Sequence, residues 1–421
     1  MAWVRRIAHG GIDLFNRVKP LGVAVGIVAF SLTLVALSQV VGVFSSPPGQ
    51  KAVGYGLSLN WTFGFTLVAP FFAFFLLLAY QSVPELIMRL AEADMLQPKD
   101  GSTAANVAPA AQNRWTVARR GTAPWWLTVT VIGILASAWE WYAYSGGPLL
   151  VGRAIEERES DWSVLLLNAD QTHRVLGAGF SFAVFLQQVF LISLIGLMLH
   201  FAIAFSGFVQ DLRKPGRAVR LFPSASFQPD DRRRGFQLFS EVLGYFLVAN
   251  VCLYAHLLLS RLWNAYLHDP EATSIWQFLW QGVDAGFKAI GATSPKDPAP
   301  LVREVLAQLK ELGPSEFSGL IVSLGAFLTL VIALSVLAVV LRRAAKSGQA
   351  ELLAGTLSGT TRKRIEAMSF WPLRFPGLGT LVALGFLATV GMLSHKAATV
   401  FLGAAFVVAL TGAVARLLRK T

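Results

Sequence analysis

Residues 175–209 read VLGAGFSFAVFLQQVFLISLIGLMLHFAIAFSGFV, thirty-five positions without an Asp, Glu, Lys or Arg. As one helix this run is about 50 Å long, well beyond the roughly 30 Å of bilayer hydrocarbon. As two helices it reverses the direction of every segment that follows. The flanking charge decides between them. With one long tilted helix, the basic stretches Arg213 to Arg234 and Arg342 to Arg374 fall on the same side as the amino terminus; splitting the run puts them on the opposite side, against the positive-inside rule. The sequence therefore predicts a single helix over 175–209 that projects from the membrane.

Seven other apolar runs have spanning character: Leu21 to Phe44, Trp61 to Tyr80, Trp125 to Tyr144, Phe239 to Trp263, Ser318 to Leu341, Gly377 to Leu393 and Ala397 to Leu418. With eight spans and a cytoplasmic amino terminus, 26 of the 36 Lys and Arg lie inside and 10 outside, while 12 of the 24 acidic residues lie outside and 10 inside. Glu140 and Glu241 fall within spans. The net charge of +12 is thus a topology signal spread over several loops, and no nucleic-acid partner is needed to explain it. A 54% hydrophobic, 14% charged composition leaves too little polar surface for a water-soluble fold of this size. The first apolar run has 24 residues, too long for a secretory signal core of about 7–15.

The expected architecture is all-α: a polytopic transmembrane helix bundle of about eight spans, both termini cytoplasmic, with short interfacial amphipathic helices. Residues 1–96 form a first transmembrane hairpin (spans 21–44 and 61–80) with an amphipathic cytoplasmic helix. In Pro84 to Leu96, Leu86, Ile87, Leu90 and Ala91 share one face, as in a helix lying against the membrane. Residues 97–123, rich in Ala, Asn, Gln, Ser and Thr, read as a flexible cytoplasmic linker. A central transmembrane region, 124–263, holds spans 125–144, 175–209 and 239–263 and a basic loop, 210–238. An external amphipathic region, 264–317, and a C-terminal transmembrane region, 318–421, with spans 318–341, 377–393 and 397–418, complete the chain. Pro20 and Pro124 are read as helix starts. In the external region, Trp276, Leu279, Val283, Phe287 and Ile290 mark a helix lying in the outer headgroup layer.

Polar residues inside spans are the functional candidates, because lipid tolerates them only with a partner or water. Glu241, Tyr245, Cys252 and His256 lie within about 60° of one another on the fifth helix, and Asn250 lies opposite. Gln187 and Gln188 sit near the middle of the fourth. Gln187, Gln188, Asn250 and His256, with Glu241 and Tyr245, are the candidates for a polar cavity between these helices; the commoner role for such residues is interhelical hydrogen bonding. Glu140 and Arg261 are a candidate ion pair at the outer boundary. Arg213, Lys214, Arg217, Arg220, Arg232, Arg233 and Arg234 are candidate contacts for anionic lipid headgroups or a ligand.

Small residues such as Gly22 and Gly26 provide for close helix packing or a homo-oligomer. The lone Cys252 excludes an internal disulfide. The six histidines lack metal-site spacing, and no nucleophile elbow, Walker pattern or CxxC is present, so neither enzyme chemistry, a metal nor a cofactor is expected. The sequence favours a multi-pass protein of a bacterial-type inner membrane that conducts ions or small solutes as a channel or transporter. The alternative is a non-conducting scaffold, sensor or effector subunit acting through its basic cytoplasmic loops. The bilayer and its anionic lipids are the expected partners.

Overall fold

The computed structural model describes residues 2–45, 54–98, 107–144, 171–212, 219–221, 238–239, 241–250, 252–253, 256 and 343. They are 87% helical. Three stretches are long and apolar enough to cross a membrane: Pro20–Val40, Trp61–Glu92 and Gly179–Asp211. The last belongs to one unbroken helix, Gln171–Asp211. Spans six to eight, the external region and Arg261 lie outside the described residues.

In chain order the elements are α1 (Ala2–Phe15), α2 (Pro20–Val40), a single 3-10 turn (Tyr55–Leu57), a π-helix (Leu59–Val68), α3 (Ala69–Gln81), α4 (Val83–Glu92), β1 (Leu96–Pro98), α5 (Val107–Tyr144), α6 (Gln171–Asp211) and β2 (Val219–Leu221). A helical stretch over 241–250, here α7, follows. Pro20 begins α2 as expected, and the helix ends on Gly42, whose φ of +79° suits a residue without a Cβ. There the Val43 amide donates to the Ser38 carbonyl at 2.9 Å and the Gly42 amide to Gln39 at 3.2 Å, which closes the last turn.

Of the stretch expected to be a linker, 97–123, the described residues lie in a strand and a helix. Leu96–Pro98 pairs antiparallel with Val219–Leu221, in register Leu96 to Leu221, Gln97 to Arg220 and Pro98 to Val219. This short sheet departs from the all-α expectation. From Val107 to Tyr144 the chain is one helix, which takes in the run 125–144 expected as a separate span. Val107, Ala111, Trp115, Arg119 and Ala123 recur every four residues and are all buried. Alanine, one tryptophan and one arginine make this inward stripe, so its hydropathy is low although its periodicity is helical.

Pro124 does not start a helix; it lies inside α5. A proline there removes the amide that would bond the carbonyl four residues back, which belongs to Arg120. His9 of α1 replaces it, its Nε2 lying 3.1 Å from the Arg120 carbonyl oxygen. The proline gap thus becomes the point where α1 docks. Gln81 of α3 secures the far end of α1, donating to the carbonyls of Phe15 (3.1 Å) and Val18 (2.8 Å), which a helix end leaves without partners. Between these anchors, Phe15 packs edge-on to Trp126, with ring centroids 5.7 Å apart.

Gly11 faces the Trp126 indole so closely that an added Cβ would lie 2.8 Å from two of its ring carbons. Gly11→Ala is expected to destabilise the fold by about 1–3 kcal/mol through overpacking. The check is thermal unfolding in detergent, where a Trp126→Leu background should remove most of the penalty.

Of the α4 face expected on the membrane surface, Leu86, Ile87 and Leu90 are buried in the protein core together with Val83, and Ala91 packs half-buried against it. This face joins Met95, Val107, Trp115, Phe205, Phe208, Val219, Leu221, Phe239 and Leu243 in one cluster. With 38 and 41 residues, α5 and α6 are about 57 and 61 Å long, each roughly twice the hydrocarbon thickness. The Phe-rich end of α6 is covered by α5 and α7, and Phe201, Phe205 and Phe208 are fully buried. A smaller cluster, Leu34, Val41, Val43, Tyr55, Phe180 and Val184, closes the opposite end.

Candidate functional site

Two chains of polar side chains cross this apolar bundle, about 20 Å apart along α6, as judged from Gln187 and His200. The first is centred on Gln187, which is 2% exposed. The Tyr55 hydroxyl donates to Gln187 Oε1 at 3.1 Å, Gln187 Nε2 donates to Ser31 Oγ at 3.0 Å, and Ser31 Oγ donates to the Phe65 carbonyl at 3.1 Å. Each donor finds an acceptor, as burial demands. Tyr55 enters because its amide donates to the Val43 carbonyl at 2.7 Å and its ring meets Phe180 edge-on at 5.0 Å. Burial raises the Tyr55 phenol above its ordinary pKa, so it remains a neutral donor.

The second chain begins at Tyr80, fully buried on α3. Its hydroxyl meets His200 Nδ1, while His200 Nε2 lies 2.9 Å from the Arg119 carbonyl and 3.0 Å from Thr122 Oγ1. A carbonyl only accepts, so Nε2 carries the proton, Nδ1 is the acceptor and Tyr80 donates to it. Arg119 continues the chain, its Nη2 donating to Asp13 Oδ1 at 2.8 Å. The other Asp13 oxygen takes Arg120 Nη2 at 3.1 Å. The Arg119 side chain is 7% exposed and that of Arg120 50%. Burial pulls the Arg119 guanidinium below its usual pKa, and the Asp13 carboxylate opposes that shift. Nearby, Arg114 pairs with Asp211 at 2.8 Å, and Arg89 bridges Glu85 and Glu241, both at 2.5 Å.

The candidates from the sequence distribute as follows. Gln187 belongs to the first chain; Gln188 is half-buried. Glu241 accepts from Arg89 and, at 3.4 Å, from the Tyr245 hydroxyl, and it faces a cleft lined by Ser82, Glu85, Leu86, Arg89, Leu238 and Val242. Asn250 is buried, with Nδ2 donating to the Phe246 carbonyl at 2.5 Å. His256 is buried edge-on to Phe65, ring centroids 4.9 Å apart, and also meets the Gly64 backbone. Phe65 therefore receives Ser31 on its carbonyl and His256 on its ring. No hydrogen bond among the described residues joins Gln187 to Asn250 or His256.

Arg220 lies in β2 opposite Gln97. Glu140 lies on α5, but its side chain is outside the description, as are Arg261, Arg213, Lys214, Arg217, Arg232, Arg233 and Arg234. Sequence reasoning missed Ser31, Tyr55, Tyr80, Asp13, Arg119 and Thr122 as site residues. The four-residue spacing that ends in Arg119 was the available signal for one of them.

Among the described residues no three His, Cys, Asp or Glu side chains gather as a metal site. No protein-family model, no curated protein and no solved structure matches the chain. Its three long apolar helices are those of a membrane protein in length and composition.

Proposed function

We propose that this is an eight-span membrane protein of a bacterial-type inner membrane, with both termini cytoplasmic, acting as a non-conducting scaffold or sensor rather than as an ion or solute conduit. It has no catalytic chemistry of its own. The observation that carries this reading is the state of Gln187, the most conspicuous polar group in mid-span. Both ends of its amide are taken up, by Tyr55 and Ser31, and it is buried. A pore needs polar groups with capacity left over for a passing ion or water.

The ends of α4, α5 and α6 fit the sensor reading, forming a protein-covered layer on the side assigned to the cytoplasm. Arg114, Arg119 and Arg120 sit there, and the basic residues 213–234 follow α6. Anionic lipids are the proposed partners of that layer. The conduit reading keeps one specific support. His256 Nδ1 and Asn250 Oδ1 are buried without a hydrogen-bond partner among the described residues, and the π-helix beside His256 is a type of irregularity frequent at functional sites.

Flux measured in liposomes separates the two. Wild-type protein is expected to pass ions and small solutes no faster than protein-free vesicles. Flux that changes in Gln187→Leu or His256→Leu would overturn the proposal and establish a path between the fourth and fifth spans.

A further inference from the structure

We propose that the inner polar cluster is a binding site for a phosphate group, recognised by Arg119 and Trp115 with Arg120 at its rim. Three buried donors are left over after the hydrogen bonds are assigned. Arg119 Nε, Arg119 Nη1 and Trp115 Nε1 are all buried and have no partner among the described residues. Every one of these atoms is a donor, and none has any capacity to accept. Trp115 and Arg119 are four residues apart on α5 and both are buried, so these donors share one helix face within a single turn. A buried donor without an acceptor costs about 1–3 kcal/mol, and more when charged, so three together mark a place built for an acceptor.

Among the described residues little is left to offer them. Asp13 divides its two oxygens between Arg119 and Arg120, so two guanidinium groups share one carboxylate and one positive charge remains. His200 uses its acceptor nitrogen on Tyr80 and presents its N–H to the Arg119 carbonyl, so it adds no acceptor. Thr122 also turns towards backbone, its hydroxyl lying 3.0 Å from the Ala118 carbonyl. An anion with several acceptor oxygens matches such a set of donors. Phosphate suits this better than a carboxylate, because its oxygens diverge and reach separate donors, and a guanidinium engages two of them at once.

Position leaves two sources of phosphate. Arg120 is 50% exposed and Asp13 30%, which opens the cluster on the α1 side. Trp125, one turn further along α5, is 66% exposed, as expected of an indole at the membrane boundary. A phosphate of an acidic lipid headgroup reaches that depth, and so does a soluble phosphate. The recognition chemistry is the same, and it does not depend on whether the bundle conducts.

The test uses the full-length protein purified in phosphate-free detergent. One arm titrates inorganic phosphate and reads ³¹P NMR line broadening. The other offers mixed micelles of phosphatidylcholine with phosphatidic acid or phosphatidylglycerol and reads the lipid retained in native mass spectra. Wild-type protein is expected to bind in at least one arm, and Arg119→Gln to weaken that binding about tenfold or more. Trp115→Phe keeps the ring and loses only the N–H, so it guards against an unfolded Arg119 variant and is expected to weaken binding severalfold. Arg89→Gln removes a cation of the separate Glu85 and Glu241 bridge and is expected to leave binding unchanged.

Binding to acidic lipid alone assigns the site to a headgroup; binding to inorganic phosphate, with or without lipid, assigns it to the phosphate group itself. Absence of binding in both arms overturns the proposal. So does binding that survives in both Arg119→Gln and Trp115→Phe, or binding that Arg89→Gln abolishes equally.

Discussion

Replacing Asp13 with alanine is expected to destabilise the protein by about 2–3 kcal/mol. The loss should show as a lower midpoint of thermal unfolding in phosphate-free detergent. Asp13 is the only carboxylate that the described structure places on Arg119 or Arg120. Removing it leaves the nearly buried Arg119 guanidinium without a side-chain acceptor among the described residues, and breaking a buried pair by deleting one member typically costs about 3–5 kcal/mol. The estimate here is lower because the Asp13 side chain is 30% exposed, so water enters where it leaves.

Two comparisons make the cause specific. Asp13→Asn retains an acceptor oxygen and should lose less. Glu85→Ala breaks an ion pair whose members are 42% and 60% exposed, and should leave the unfolding midpoint nearly unchanged, because solvent screens exposed pairs. Equal losses for Asp13→Ala and Glu85→Ala would mean that the Asp13 cluster is no more than surface charge.

The second large effect is expected at Gln187. Gln187→Leu leaves the Tyr55 hydroxyl, in a fully buried ring, without its acceptor, and Ser31 without its donor. Hydrogen bonds between membrane helices average about 0.6 kcal/mol in double-mutant cycles, whereas a stranded buried hydroxyl costs about 1–3 kcal/mol. The net expectation is a loss of about 2 kcal/mol. Tyr55→Phe in the same background should restore much of it, since the stranded group is then gone. Failure of that rescue would locate the damage in packing against Phe180 and Val184 rather than in the hydrogen-bond chain.

These effects fall on residues of unequal visibility in the sequence. Gln187 was legible because an amide at the centre of a charge-free run is out of place without a partner. Its partners were not, since Ser31 and Tyr55 lie 156 and 132 positions away and resemble many other serines and tyrosines. Arg119 was read as part of a flexible linker because alanine and polar residues dilute the hydropathy around it. Its four-residue spacing from Trp115 and Ala111 is helical nonetheless. Pro124 misled in the opposite direction: a helix start was the natural local reading, and His9, 115 positions earlier in the chain, made a mid-helix proline tolerable.

By itself the sequence determined the element type. Charge-free apolar runs require lipid or a large apolar core, and backbone groups there require helix, so long helices at Pro20–Val40, Trp61–Glu92 and Gly179–Asp211 follow from composition and length. It also determined that 175–209 is one helix, through the charges on either side. Only the tertiary structure decided which polar groups meet. Hydrogen bonds act over about 3 Å and are blind to sequence distance, so Tyr80 with His200, Arg119 with Asp13 and Gln187 with Tyr55 become neighbours only when whole helices are packed. It also decided that the face of α4 meets protein rather than lipid, because hydrophobicity drives a surface out of water without specifying what covers it.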